Sequence, residues 1–219
     1  MLVVVGGHSR NIGKTSVMAG LIAALPELHW TAIKITQYGH GVCSSEGEAC
    51  ECAPVDPAHP YAISEEVARS TGTDTSRFLA AGARRSYWVR TAVGQLGYAV
   101  PAVQRILAGS EHAIVESNSI LQFFRPDLYL VVVDFAVEDF KQTSVAYLDR
   151  ADALIVIDRK IEHPHWSGVA RRLWRTKKRF YVQPPQYATE AMAALVRGRL
   201  NSSATDSGGT VAATSPSAE

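Results

Sequence analysis

The chain has 219 residues, 47% of them apolar and 20% charged, the composition of one large globular domain or at most two small ones. With 22 Lys and Arg against 21 Asp and Glu the formal charge is +1, so no global field draws the chain to nucleic acid or to an anionic membrane. The uncharged run from Ser16 to Leu25 is about half the roughly 20 residues a membrane span needs, and Met1-Leu2-Val3-Val4-Val5 lacks a basic n-region, so the expectation is a cytoplasmic protein with reduced thiols.

In chain order, Leu2–Val5 reads as a buried first strand, and Lys14 to Leu25 carries Val17, Met18, Leu21, Ile22 and Leu25 at helical spacing until Pro26 ends it. A strand follows at Thr31–Ile35. Tyr38 to Ala62 is polar, has no hydrophobic period and contains all three cysteines, and so long a stretch is usually functional or organised by something extra. Beyond it the pattern predicts a helix over Ser76–Arg84, a strand at Tyr87–Arg90, a helix over Gly94–Leu107, and strands at Ala113–Glu116 and Leu128–Asp134. Then come helix Lys141–Leu148, strand Leu154–Asp158, helix Trp166–Trp174, strand Phe180–Gln183 and helix Thr189–Leu200. The alternation predicts a three-layer α/β/α fold with a mostly parallel sheet of about seven strands. A nucleotide-binding domain over residues 1–200 is expected, with a cysteine-rich insertion near 38–62. Residues 201–219 hold eight Ser and Thr and no large aromatic, which predicts a disordered tail.

The most specific signal lies between the first strand and the first helix: Gly7, His8, Ser9, Arg10, Asn11, Ile12, Gly13, Lys14, Thr15, then Ser16. Loop and helix N–H groups converge there on one spot and, with the helix dipole, favour a phosphate. Lys14 is placed against the β/γ-phosphates and the Thr15 hydroxyl on Mg²⁺. The first Gly stands one residue earlier than the usual spacing, where His8 takes its place.

Gly7 followed by five residues and Gly13-Lys14-Thr15 resembles the longer P-loop of the dethiobiotin synthetase and cobyrinate amidase group. Ala32-Ile33-Lys34, and Thr73-Asp74-Thr75-Ser76-Arg77 with Ala81-Gly82-Ala83, resemble segments of the molybdopterin-guanine dinucleotide biosynthesis protein B family. Both resemblances imply a P-loop NTPase of the SIMIBI class that binds GTP or ATP with Mg²⁺ and forms a homodimer. The second implies slow hydrolysis in molybdenum-cofactor maturation with a molybdopterin guanylyltransferase as partner. The alternative is an ATP-dependent ligase or amidase that activates a carboxylate, since Lys34-Ile35-Thr36-Gln37 resembles the Lys-Pro-Val-Gln of dethiobiotin synthetases. A third reading is a nucleotide-switched adaptor without catalysis.

Ligands of an open parallel sheet bind beyond the carboxyl ends of its strands, where Lys34, Glu116, Asp134 and Asp158 all stand. Lys14, Lys34 and Glu116 are the catalytic candidates, with Lys34 offsetting charge on a transferred phosphoryl group and Glu116 joining Thr15 at Mg²⁺. Lys34 also reads as a stem packed on the sheet with its ammonium in water, and one of Asp134 and Asp158 as facing solvent. Asp74 and Arg77 are candidate second-segment contacts, with a helix N-cap at Asp74 or Thr75 as the alternative. Arg171, Arg172, Arg175, Lys177, Lys178 and Arg179 read as a solvated basic face, and His163-Pro164-His165-Trp166 as a loop. Cys43, Cys50 and Cys52 with His40 make a candidate Zn²⁺ site, set against plain burial of the thiols or a mobile lid.

Overall fold

A computed structural model describes residues 1–38 and 60–206, with side chains to 201. Eight strands form one sheet: β1 (Leu2–Gly7), β2 (Thr31–Tyr38), β3 (Tyr61–Glu66), β4 (Arg85–Ala92), β5 (Ala113–Glu116), β6 (Leu128–Asp134), β7 (Ala153–Ile157) and β8 (Lys178–Val182). Their order is β3-β4-β2-β5-β1-β6-β7-β8, and every pairing is parallel except β3 with β4. The helices are α1 (Lys14–Ala24), α2 (Asp74–Ala80), α3 (Leu96–Ala108), α4 (Gln142–Val145) and α5 (Glu190–Asp206).

The sheet is covered on both faces, as the unbroken β-branched runs require. Successive residues of one strand go to opposite cores: Val3 and Val5 join α1, α2 and α5, whereas Val4 joins α3 on the other side. Leu130 and Val132 divide from Val131 and Val133 in the same way. On α1 the fully buried face is Val17, Met18, Leu21 and Ile22, each worth roughly 1.5–3 kcal/mol of burial. The mostly parallel three-layer α/β/α expectation holds.

The eighth strand is β3, which the sequence reading did not separate from the polar stretch before it. It is a short antiparallel edge in which Tyr61 and Ile63 alternate with the exposed Ala62 and Ser64 and reach the core only partly. Glu65 on it takes a two-pronged bond from Arg85 of β4, at 2.8 and 3.0 Å. Charge on such an edge keeps it from pairing with another chain.

Four expected helices differ. Trp166–Trp174 forms only a single 3₁₀ turn at Arg171–Leu173, because Trp166 and Trp174 turn inward to pack edge-on against each other and against Phe135. Lys141–Leu148 shrinks to α4 and a 3₁₀ turn at Leu148–Arg150. The segment expected at Ser76–Arg84 begins earlier: Thr73 is the N-cap, its hydroxyl accepting from the Ser76 N–H at 3.1 Å, so neither Asp74 nor Thr75 caps α2. Helix α5 runs on to Asp206, past the boundary expected at Leu200. Residues 207–219 of the expected tail lie outside the described residues. No helix among the described residues is long and apolar enough to cross a membrane.

Candidate functional site

Strand β1 sits between β5 and β6, and the chain leaves β1 toward β2 on one side while β6 continues toward β8 on the other. The carboxyl end of β1 is therefore the point where the strand order reverses, the place where open α/β sheets hold their ligands. The loop from β1 to α1 lies at this point. Gly13 caps α1 in the left-handed region, φ 91°, a conformation that a β-carbon would strain. Lys14 folds back so that its ammonium donates to the Ser9 carbonyl at 2.9 Å. Burial lowers the Lys14 pKa, with Lys34 and Arg10 acting in the same direction and Glu116 and Asp74 opposing it.

A cavity of about 430 Å³ opens above the loop, and Arg10, Asn11, Ile12, Gly13, Lys14, Thr15 and Ser16 all line it. Lys34, Asp74, Arg77, Glu116 and Asp134 complete the wall near Lys14, while Arg159, Pro184 and Tyr187 line it from the loops after β7 and β8. Thr15 donates its hydroxyl to Glu116 Oε2 at 2.8 Å, joining the start of α1 to the end of β5. Lys34 is only 8% exposed; its ammonium pairs with Asp74 and stands 3.6 Å from Glu116 Oε1. The alternative of an ammonium in water is thereby overturned for Lys34. Arg77 donates to Ser16 Oγ at 2.9 Å, which ties α2 to the first turn of α1.

His8, Ser9 and Gly7 stand elsewhere than the loop motif suggests. His8 is fully buried beneath the loop, between Phe140 and Trp166 with ring centroids 5.0 Å from each. Its Nε2 accepts from the Asp134 N–H at 3.0 Å and its Nδ1–H donates to the Asp139 carbonyl at 2.8 Å. Ser9 donates to Asp139 Oδ2 at 2.5 Å. His8 and Ser9 thus hold the loop from below and do not line the cavity. Gly7 borders a second, smaller cavity.

Sequence reading missed the residue that anchors the loop's first turn. Asn118, two positions beyond β5, accepts from the Gly7 N–H at 3.0 Å and donates to the Gly7 carbonyl at 2.9 Å. A β-carbon at Gly6 would run into this amide and into the Tyr129 ring, so the glycine pair makes room for the clamp. The only signal was an amide shortly after a strand-ending glutamate. Asn118→Ala should lower stability by about 1–3 kcal/mol, since two backbone groups lose partners. A thermal melt indistinguishable from that of the parent protein would show the clamp to be idle.

Burial lowers the His8 pKa from 6.5 to about 4, against the raising effects of the Asp139 carbonyl, Asp134 and Asp139. Protonation would aim a second N–H at the Asp134 N–H. The folded protein therefore disfavours the imidazolium, and this contribution is fully present above pH 6.5 and lost as the pH falls toward 4. The expected loss is about 3 kcal/mol. Urea midpoints at several pH values should fall more steeply for the parent protein than for His8→Gln over this window; parallel curves would assign the acid sensitivity elsewhere.

Asp134 is 1% exposed and receives Arg159 Nε at 2.7 Å and the Ala136 N–H at 3.0 Å, so it belongs to the site. Asp158 instead turns aside to Lys160, whose ammonium lies 2.7 Å from Oδ2. In the basic cluster Arg171, Arg172, Arg175 and Lys178 are exposed, while Lys177 donates to the carbonyls of Asp149 and Ala151. His163 to Trp166 is irregular, with the Trp166 ring buried. Cys43, Cys50, Cys52 and His40, the expected Zn²⁺ ligands, lie outside the described residues. Among the described residues no group of three or more His, Cys, Asp or Glu is arranged to hold a metal.

The chain matches no family model and no curated protein. Among solved structures it is similar to HypB from Helicobacter pylori in complex with nickel, at 12% identity and a TM-score of 0.47, over 91% of this chain and 87% of that one. It is also similar to the apo form of LpxK from Aquifex aeolicus in complex with ATP, at 16% identity and a TM-score of 0.45, over 82% of this chain. The similarity spans 53% of the LpxK chain, about half its length.

Proposed function

We propose that the chain binds a nucleoside triphosphate with Mg²⁺ in the cavity above the β1–α1 loop and hydrolyses it slowly. The observation that carries this reading is the convergence of Lys14, Thr15 and Glu116 on one cavity at the strand-order reversal. A phosphate seated on the loop N–H groups replaces the Ser9 carbonyl as the partner of the Lys14 ammonium. Thr15 and Glu116 offer a hydroxyl and a carboxylate, hard oxygen donors of the kind Mg²⁺ takes alongside phosphate oxygens and water. They are the residues that would hold the ion, which supplies charge neutralisation on the phosphates when bound. Lys34, held by Asp74 beside Glu116, supplies a second cation at the same end of the cavity.

The finer assignment is to molybdenum-cofactor maturation, acting as a homodimer with a molybdopterin guanylyltransferase. It is supported by the meeting of the two segments that carry that resemblance, because Lys34 from one pairs with Asp74 from the other. Calorimetric titration of ATP and GTP with Mg²⁺ tests the main reading: saturable binding of at least one is expected, and no heat with either overturns it. Co-purification with a molybdopterin guanylyltransferase tests the finer one, and failure to form that complex in the nucleotide-loaded state removes it.

A further inference from the structure

On the α3 side of the sheet edge a second cavity, of about 300 Å³, opens below Lys14. It shares Arg10, Lys14, Ile35, Gln37, Glu116 and Lys141 with the first cavity, so the two meet at the place assigned to the terminal phosphate. Its own walls are Ser117, Asn118, Ser119 and Thr143, together with Val93. Hydroxyl and amide donors thus stand beside the apolar surface of Val93 and Ile35. Among the described residues Glu116 is the only acid in the lining, and it is already engaged by the Thr15 hydroxyl.

Lys141 is the unusual member. It follows the segment that grips His8, and its own N–H donates to the His8 carbonyl at 2.8 Å, which fixes its position against the loop. Its side chain is half-buried and, among the described residues, forms neither a salt bridge nor a hydrogen bond. Burial, with Lys14 and Arg10 nearby, brings its pKa down from 10.5 to about 8, outweighing Asp139 and Glu116. An ammonium half-buried near Lys14 and Arg10, and hydrogen-bonded to neither Asp139 nor Glu116, is stabilised by an anion arriving beside it.

The geometry points to the second cavity as the site of a small anionic co-substrate, a compact carboxylate or phosphate ester, seated on Lys141 beside the terminal phosphate. The assignment rests on the nucleotide reading for its neighbour. The volume suits a small metabolite rather than a peptide. Lys141 supplies the charge, the hydroxyls of Ser119 and Thr143 supply orientation, and the shared wall keeps the anion next to Lys14 without displacing the nucleotide.

The experiment is calorimetry on the full chain saturated with Mg²⁺ and a non-hydrolysable ATP or GTP analogue, titrated in separate arms with succinate and with inorganic phosphate. At least one arm should saturate with a dissociation constant of about 1 mM or tighter. The arm that responds separates carboxylate from phosphate chemistry. Lys141→Met should weaken that binding by about tenfold or more, the loss of one charge-assisted contact. Thr143→Trp, at an exposed position that borders only the second cavity, should block it while leaving the analogue's affinity unchanged. No saturation in either arm, or binding that survives Thr143→Trp, overturns the assignment. If neither nucleotide analogue binds, the nucleotide reading fails on its own. Succinate titrated into the nucleotide-free chain then decides the second cavity by the same two variants.

Discussion

Lys14→Ala should abolish triphosphate binding while the fold remains intact. Among the described residues the Lys14 ammonium hydrogen-bonds only the Ser9 carbonyl, and its site is already crowded by Lys34 and Arg10. Its burial disfavours the charged form, so the same ammonium gains most when a polyanion enters. Hydrogen bonds to charged groups contribute about 1.5–3 kcal/mol each, and a lysine bridging two phosphates makes more than one. The expected loss is therefore on the order of a hundredfold or more in affinity. Removing a strained cation should leave the melting temperature level or slightly raised. Unchanged affinity for both ATP and GTP in calorimetry would eliminate the loop as the phosphate site.

Glu116→Gln should lower Mg²⁺-dependent hydrolysis by about 10²-fold or more, with a much smaller effect on nucleotide affinity measured without metal. The amide oxygen can still accept from Thr15, so the junction between α1 and β5 survives the change. The lost charge matters twice. The cation would lose the carboxylate bonded to Thr15, and among the described residues Lys34 would keep Asp74 alone as its salt-bridge partner. Hydrolysis at saturating Mg²⁺ equal to that of the parent protein would reduce Glu116 to a structural link between two elements.

The placement of Glu116 and Lys34 was legible because a charged residue closing a β-branched run must lie at the sheet edge. The parallel sheet itself dictates which edge. The burial of Lys34 was not legible: the same side chain reads equally well as a solvated stem until Asp74, 40 residues on, arrives beside it. His8 shows the opposite failure. Its position within a glycine-rich loop suggested a ligand contact, but the aromatic rings that enclose it come from residues 140 and 166. Spacing along the chain carries no trace of them.

What the sequence determined by itself is local. Hydrophobic period, strand-ending charges and the Gly13-Lys14-Thr15 turn set the order of strands and helices and the place of the loop, because each depends on interactions among near neighbours. Only the tertiary structure decided the partners: β3 at the edge, Asn118 on Gly7, Asp139 under Ser9, Asp74 on Lys34, and Lys141 at the junction of the two cavities. Those contacts span from 40 to 130 residues of chain. They are fixed by how strands order themselves in the sheet, which side-chain pattern along any one segment does not encode.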